Sequence, residues 1–164
     1  MKIGLLGRMT SGKSTFARLL QDEHPEYEIY SFAGKLKEIV NDLFPGDAKN
    51  REILQTVGQF FRDISEDVWI DYLLKKIPSE NVIIDDVRYE NEIIALKKRG
   101  FLIIYLGVSR ETQIERIEKR FKNPDDLLRV SHESERADDL KGMADLQLYS
   151  PDIDGTKQII KTLR

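Results

Sequence analysis

Residues 7–14 read G-R-M-T-S-G-K-S, and this run with its flanks constrains the chain more than any other feature. Before it, Lys2 to Leu6 is a short apolar segment closed by Gly7, which reads as a buried strand. After it, from Gly12 to about Gln21, Phe16, Ala17, Leu19 and Leu20 recur at the spacing of one helix face. A strand that enters a helix through G-x-x-x-x-G-K-[ST] presents backbone N–H groups to a polyphosphate. The glycines remove the Cβ atoms that would obstruct this approach, and the helix N-terminus adds its partial positive charge. In this reading Lys13 reaches the β- and γ-phosphates and the Ser14 hydroxyl ligates Mg²⁺. Gly7, Thr10, Ser11, Gly12 and Thr15 complete the cradle. A nucleoside triphosphate and Mg²⁺ are implied. Gly4-x-x-Gly7 does not make the G-x-G-x-x-G of dinucleotide binders, so a dehydrogenase of that kind is disfavoured.

The rest of the chain alternates strand and helix signals. Strands are expected at Glu28–Phe32, Asn81–Asp85, Phe101–Leu106 and Ala144–Leu148. Helices are expected at Lys35–Phe44, Arg51–Ile64, Asp67–Ile77, Glu90–Arg99, from Ser109 to about Phe121, and at Gly155–Leu163. Pro45-Gly46 and Asn123-Pro124-Asp125-Asp126 act as breakers, while Ser65 and Ser109 stand at cap positions. Unalternating apolar strands between helices argue for a parallel sheet covered on both faces, an α/β architecture. With 164 residues and no linker or repeat, residues 1–164 read as one domain.

Composition narrows the chemistry. There is no Cys, so disulfides, thiolate metal sites and cysteine nucleophiles are excluded, and two His cannot make a histidine-rich metal site. Lys plus Arg count 26 against 29 Asp plus Glu, a net charge of −3, which disfavours a general polyanion binder. The longest apolar run, Phe101–Val108, is far shorter than the roughly 20 residues of a membrane span. A soluble, cytoplasmic protein is the expectation.

Val82–Arg88 reads V-I-I-D-D-V-R, an apolar strand ending in two acids and a base. A carboxylate at the C-terminal end of a neighbouring strand is where such a fold holds its Mg²⁺ or its water network. Side chains alternate along a strand, so only one of Asp85 and Asp86 should face the site. Arg110, Arg116 and Arg120 lie in S-R-E-T-Q-I-E-R-I-E-K-R, with Arg116 and Arg120 four apart on one helix face. That face is either solvated surface or a lid whose arginines close over the transferring phosphoryl group.

On these residues the chain resembles the deoxynucleoside monophosphate kinase family of tailed phages and prophages, over nearly its whole length. The segments that carry the likeness are G-R-M-T-S-G-K-S-T, S-F-A-G-K-L-K-E-I-V after the second strand, and R-E-I-L-Q-T-V-G-Q-F-F-R-D-I-S-E-D-V-W-I-D-Y-L. I-I-D-D-V-R-Y-E-N-E-I and S-H-E-S-E at Ser131–Glu135 complete the order. Gly34 departs from the pattern, standing where the family often has an acid, and Asp85 adds a second carboxylate. The resemblance implies a three-layer P-loop kinase fold with a central parallel sheet, a helical substrate-binding insert at about 34–78 and a small lid at about 110–131. It implies ATP bound at the phosphate loop with help from Arg110, metal at Ser14 and Asp86, and catalysis by Lys13, Asp86, Arg116 and Arg120. Lys35, Lys37, Arg62 and Arg88 would serve the acceptor phosphate, and Phe32, Gln55 and Trp69 the base. Trp69 also fits an ordinary core position, and Lys37 a solvated helix face. His132 is expected to order the loop before the last strand.

The leading expectation is therefore transfer of the γ-phosphoryl group of ATP to a (deoxy)nucleoside monophosphate. A kinase acting on a small phosphorylated metabolite or a modified base in DNA, and a nucleotide-dependent binding module, stay open beside it. Animal phosphomevalonate kinases carry similar motifs, so these do not fix the acceptor. The expected partners are small-molecule nucleotides, with no nucleic acid and no membrane, and a homodimer stays open.

Overall fold

The computed structural model describes residues 1–45, 51–120, 137–149 and 153–162. The apolar runs become five strands: β1 Lys2–Leu6, β2 Glu28–Tyr30, β3 Val82–Val87, β4 Leu102–Gly107 and β5 Leu146–Tyr149. They form one sheet in the order β2-β3-β1-β4-β5, with every pairing parallel. The helices are α1 Lys13–Glu23, α2 Ala33–Leu43, α3 Arg51–Ile64, α4 Val68–Leu74, α5 Glu90–Lys98, α6 Arg110–Arg120 and α7 Ile153–Thr162. Three of them, α2 to α4, lie between β2 and β3, where the helical insert was expected.

Alternation along the strands sorts the core into two layers. Ile3, Leu5, Ile83, Ile104 and Leu106 pack with Phe16, Ala17 and Leu20 of α1 and Ile160 of α7. Leu6, Val82, Ile84, Ile103 and Tyr105 pack on the other face with Leu36 and Val40 of α2, Ile70 and Leu73 of α4, and Ile93 and Leu96 of α5. The result is a three-layer α/β/α fold. At Gly4, a Cβ would come within 2.9 Å of Ile103 Cδ1 and 3.1 Å of Leu96 Cδ1, so the central strand is bare where α5 presses on the sheet. With every strand parallel, the turn after β1 and the end of β3 lie at the same edge of the sheet, where a crevice opens.

One irregularity changes the site. Between β1 and β3, Gly4 pairs with Ile84 but Leu6 pairs with Val87, so two steps along β1 face three along β3. The extra residue is a bulge at Asp85–Asp86, and it returns Val87 to the layer of Ile84. The expectation that only one of the two aspartates faces the site is corrected here: the bulge breaks the alternation, and both line the same cleft.

Other boundaries move for local reasons. β2 ends at Tyr30, short of the expected Phe32, because Phe32 becomes the N-cap of α2. Helix α4 is N-capped by Asp67 rather than Ser65, which contributes only its carbonyl to the Val68 N–H, at 3.1 Å. Ser109 caps α6 as expected, its Oγ accepting from the Thr112 N–H at 3.2 Å. Residues 137–139 are helical and Lys141–Met143 form a 3₁₀ turn, neither anticipated, since such short turns carry no periodicity. No helix among the described residues is long and apolar enough to cross a membrane.

Candidate active site

The phosphate loop is built by two glycines with different duties. At Gly7, φ is +156°, and a Cβ would lie 2.4 Å from the Leu106 carbonyl oxygen and 2.7 Å from Ser11 Oγ. No side chain fits there. Gly12 sits at φ +102° as the N-cap of α1, a left-handed geometry that costs glycine nothing. The first-turn amides of α1 that follow have no acceptor within their own helix. Lys13 curls over the loop, its Nζ donating to the Gly7 carbonyl at 2.6 Å and to that of Arg8 at 2.8 Å. The Lys13 ammonium is lowered to about 8, by burial first and then by the charge of Arg88, against the pull of Asp86 and Asp85. The Ser11 hydroxyl is buried in the loop without a partner, a polar atom that bound phosphate oxygens would satisfy.

The two carboxylates of β3 divide the labour. Asp85 Oδ2 accepts from the Ser14 hydroxyl at 2.9 Å. Asp86 turns the other way: Oδ1 accepts from the Phe32 N–H at 2.8 Å and Oδ2 from the Ala33 N–H at 3.0 Å, fixing the start of α2. Burial raises the Asp86 carboxyl, while these amides and Arg88 hold it down in part. The Ser14 partner is thus Asp85, while Asp86, which the resemblance places at the metal, directs its lone pairs to the insert. Among the described residues no three His, Cys, Asp or Glu converge on one point. The Ser14–Asp85 pair suits Mg²⁺, which takes one or two protein oxygens and fills its octahedron with water and phosphate oxygens.

A cleft of about 930 Å³ runs from this loop to the insert. Its far half is lined by Phe32, Leu36 and Lys37 of the α2 segment, by Leu54, Gln55 and Arg62 of α3, and by Asp86, Arg88, Tyr89 and Glu92. The Arg62 guanidinium lies 4.4 Å from the Tyr89 ring centroid. Glu92 is buried at 3% exposure, and its carboxyl is pushed up to about 8 by burial first and then by the charge of Asp86.

Helix α6 docks on the loop. An Arg116 guanidinium N–H donates to the Thr10 carbonyl at 3.0 Å, and the side-chain amide of Gln113 reaches the Met9 carbonyl at 3.4 Å. Arg8 is directed away from the cleft into an ion pair with Asp138, which also accepts from the Tyr105 hydroxyl at 2.5 Å.

Of the expected site residues, Thr10, Ser11, Gly12, Lys13, Ser14, Thr15, Phe32, Lys37, Gln55, Arg62, Asp86, Arg88 and Arg116 line one cleft. Gly7 shapes the loop without lining the cleft, and three further candidates stand elsewhere among the described residues. Trp69 is a core residue at 5% exposure, its indole N–H donating to the Gly58 carbonyl at 3.3 Å and its ring edge-on to Phe61. Lys35 is paired with Glu38 at 2.9 Å, and Arg110 is exposed; neither lines the cleft. Gly34 has no packing reason to be bare, since a Cβ would meet only Ser31 Oγ at 3.5 Å. The Arg120 side chain, the S-H-E-S-E segment with His132, and the expected lid beyond Arg120 lie outside the described residues. Sequence reasoning left open which of Asp85 and Asp86 meets Ser14, and it passed over Tyr89 and Glu92 as cleft residues. The N-E pair at Asn91–Glu92 was in view, but nothing in the sequence shows that the glutamate turns inward.

A family model for an AAA domain matches residues 3–141. No curated protein matches the sequence. Among solved structures, the chain is similar to a shikimate kinase from Bacteroides thetaiotaomicron at 16% identity and TM-score 0.62, over 99% of this chain and 96% of that one. A shikimate kinase from Acinetobacter baumannii in complex with shikimate aligns at 17% identity and TM-score 0.59, over 99% and 89%. A deoxyadenosine kinase from M. mycoides with bound dCTP aligns at 18% identity and TM-score 0.54, over 99% and 97%. The strand order, the phosphate loop and these neighbours agree, and the family model spans most of the chain: it belongs to the AAA-domain family and shares the fold of these P-loop kinases.

Proposed function

We propose that the protein transfers the γ-phosphoryl group of ATP to a (deoxy)nucleoside monophosphate. The observation that carries this reading is the composition of the far half of the cleft. Arg62 and Arg88 line it together with an apolar group of Phe32, Leu36 and Leu54 and the single amide of Gln55. Two guanidiniums suit a terminal phosphate, whose oxygens they grip in bidentate forks, and the apolar wall with one amide suits a planar base. In the reaction a phosphate oxygen of the acceptor attacks the γ-phosphorus, the bond to the β-phosphate oxygen breaks, and ADP leaves. No covalent protein intermediate is required, because positioning and charge neutralisation supply the catalysis. Lys13 exchanges its bonds to the Gly7 and Arg8 carbonyls for the β- and γ-phosphates. Arg116, one bond from the loop at Thr10, neutralises charge on the transferring group. Ser14 and Asp85 would hold Mg²⁺, which would supply screening of the phosphate charges.

The neighbours named for shikimate and deoxyadenosine kinases frame the alternatives: a nucleoside offers the two arginines no anion, and shikimate, a carboxylate they could grip, offers the apolar wall and the Gln55 amide no planar base. A coupled ADP-release assay over the common nucleoside monophosphates, nucleosides, shikimate and a DNA duplex tests the assignment. Turnover confined to monophosphates is expected. Arg88→Lys keeps the charge and loses the fork, so it should raise the monophosphate KM about tenfold and leave the ATP KM nearly unchanged. Turnover of a nucleoside, an alcohol or DNA without turnover of monophosphates would overturn the proposal.

A further inference from the structure

Glu92 has no role in the chemistry outlined so far, yet it is a carboxylate buried in the wall of the cleft. Carboxyl groups are rarely kept this far from water unless something is held by them. What it holds is specific. Its Oε2 accepts from two consecutive backbone amides, Arg88 N–H at 2.7 Å and Tyr89 N–H at 3.1 Å. These bonds cap α5 and clamp the chain as it leaves β3. Arg88 is one of the two clamped residues. The other, Tyr89, carries the Arg62 guanidinium on its ring at 4.4 Å. One carboxyl group therefore touches the backbone of Arg88 and the backbone of the residue on whose ring Arg62 rests.

The preceding residue extends the arrangement to the insert. Asn91 Nδ2 donates to Asp67 Oδ1 at 2.7 Å, tying the first turn of α5 to the start of α4, while Asn91 Oδ1 accepts from the Glu92 N–H at 3.0 Å. Arg62 and Tyr89 belong to different elements, α3 and the β3–α5 turn, and they meet only if that turn keeps one conformation. A free backbone turn would lose that pairing.

We propose that Glu92 is a positioning residue for the acceptor phosphate: by holding the Arg88 and Tyr89 amides it sets Arg88 directly and Arg62 through Tyr89. The inference rests on the nucleoside monophosphate reading for what the arginines bind, but not for the clamp itself. What the clamp needs is an acceptor atom in place rather than a negative charge, so glutamine should replace glutamate and alanine should not.

Two measurements on the full-length protein decide it. Hydrogen exchange at the Arg88 and Tyr89 amides reads the clamp with no substrate present. Both should be protected in the native chain and in Glu92→Gln, and should exchange about tenfold faster or more in Glu92→Ala. Steady-state kinetics read the consequence: Glu92→Ala should raise the monophosphate KM about tenfold with the ATP KM within about twofold, and Glu92→Gln should stay near the native values. Should Glu92→Ala not fold, Tyr89→Leu removes the ring and keeps the amide. It should raise the monophosphate KM severalfold while leaving Arg88 protection intact.

Equal rises in both KM values, or a Glu92→Gln as damaged as Glu92→Ala, would overturn the proposal. So would a Tyr89→Leu that binds monophosphate normally. Failure of the nucleoside monophosphate reading looks different. The native protein would then turn over no monophosphate, while the two amides would still depend on Glu92, which would support the clamp and remove only its assigned acceptor.

Discussion

The two halves of the cleft are made in opposite ways. The donor half is nearly continuous in sequence: Met9 to Phe16 line it in an unbroken run, and Lys13 bonds carbonyls five and six residues back. The acceptor half is gathered from three distant stretches, and its defining bonds join Asp86 to Phe32 and Ala33 across 54 and 53 residues. In the proposed reading the donor half recognises a group common to every nucleoside triphosphate and needs one geometry of backbone amides. The acceptor half would then read one molecule among many, with a geometry set by how α2 to α4 lean on the sheet. On that reading acceptor choice could change through the packing of α2 to α4 while the phosphate loop stays the same.

The heaviest blow to this division should come from the donor side. Lys13→Met removes a donor to the transferring group, and one such donor is worth about 3–4 kcal/mol, or about a hundredfold to a thousandfold in kcat. Coupled ADP release would show it, with a thermal melt to establish that the variant is folded. A folded Lys13→Met with near-normal turnover would remove the phosphoryl-transfer assignment altogether.

The next test sets the adjacent aspartates against each other. Asp85→Asn should raise the Mg²⁺ concentration for half-maximal rate about tenfold, because it weakens the Ser14 pair, and leave the acceptor KM alone. Asp86→Asn swaps one of two acceptor oxygens for a donor facing an N–H, so it should raise the acceptor KM about tenfold with little change in Mg²⁺ demand. Metal and acceptor titrations on both variants check this. If the effects are reversed, the division at the bulge is misplaced.

A gentler effect concerns pH. Glu92 is raised from 4.5 to about 8 in the fold, so between those values the folded chain binds more protons than the unfolded one. Stability due to this group is full below about pH 4.5 and is lost as pH rises through about 8. Glu92→Gln cannot ionise, so it should gain stability relative to the native chain as pH rises across that range. Urea unfolding at pH 5 and pH 8 would measure it, and a constant difference would contradict the burial of the carboxyl.

The smallest change is expected at Trp69. Trp69→Phe loses the indole bond to the Gly58 carbonyl, at a cost of about 1 kcal/mol in stability, and should leave the relative use of different monophosphates unaltered. An acceptor panel and a denaturant curve suffice. A shift in base preference would place the ring back in the acceptor half.

The phosphate loop was legible in the sequence. Gly7 leaves no room for a Cβ, Gly12 sits at a left-handed φ, and Lys13 and Ser14 follow at fixed offsets along one loop. The strands were equally legible, since I-G-L-L, V-I-I and L-I-I-Y-L are apolar without alternation and must be covered on both faces. Arg62 and Arg88 were reached through resemblance, and the fold brings both to the cleft. Tertiary structure alone decided the rest. Asp85 and Asp86 share a cleft because β3 carries one residue more than β1 over the same span, a mismatch between partners that neither strand's sequence contains. Trp69 is core because α3 and α4 close on it, and Glu92 turns inward to meet the Arg88 and Tyr89 amides. Local conformation is written in neighbouring residues, whereas the direction of a polar side chain depends on which distant amides arrive to meet it.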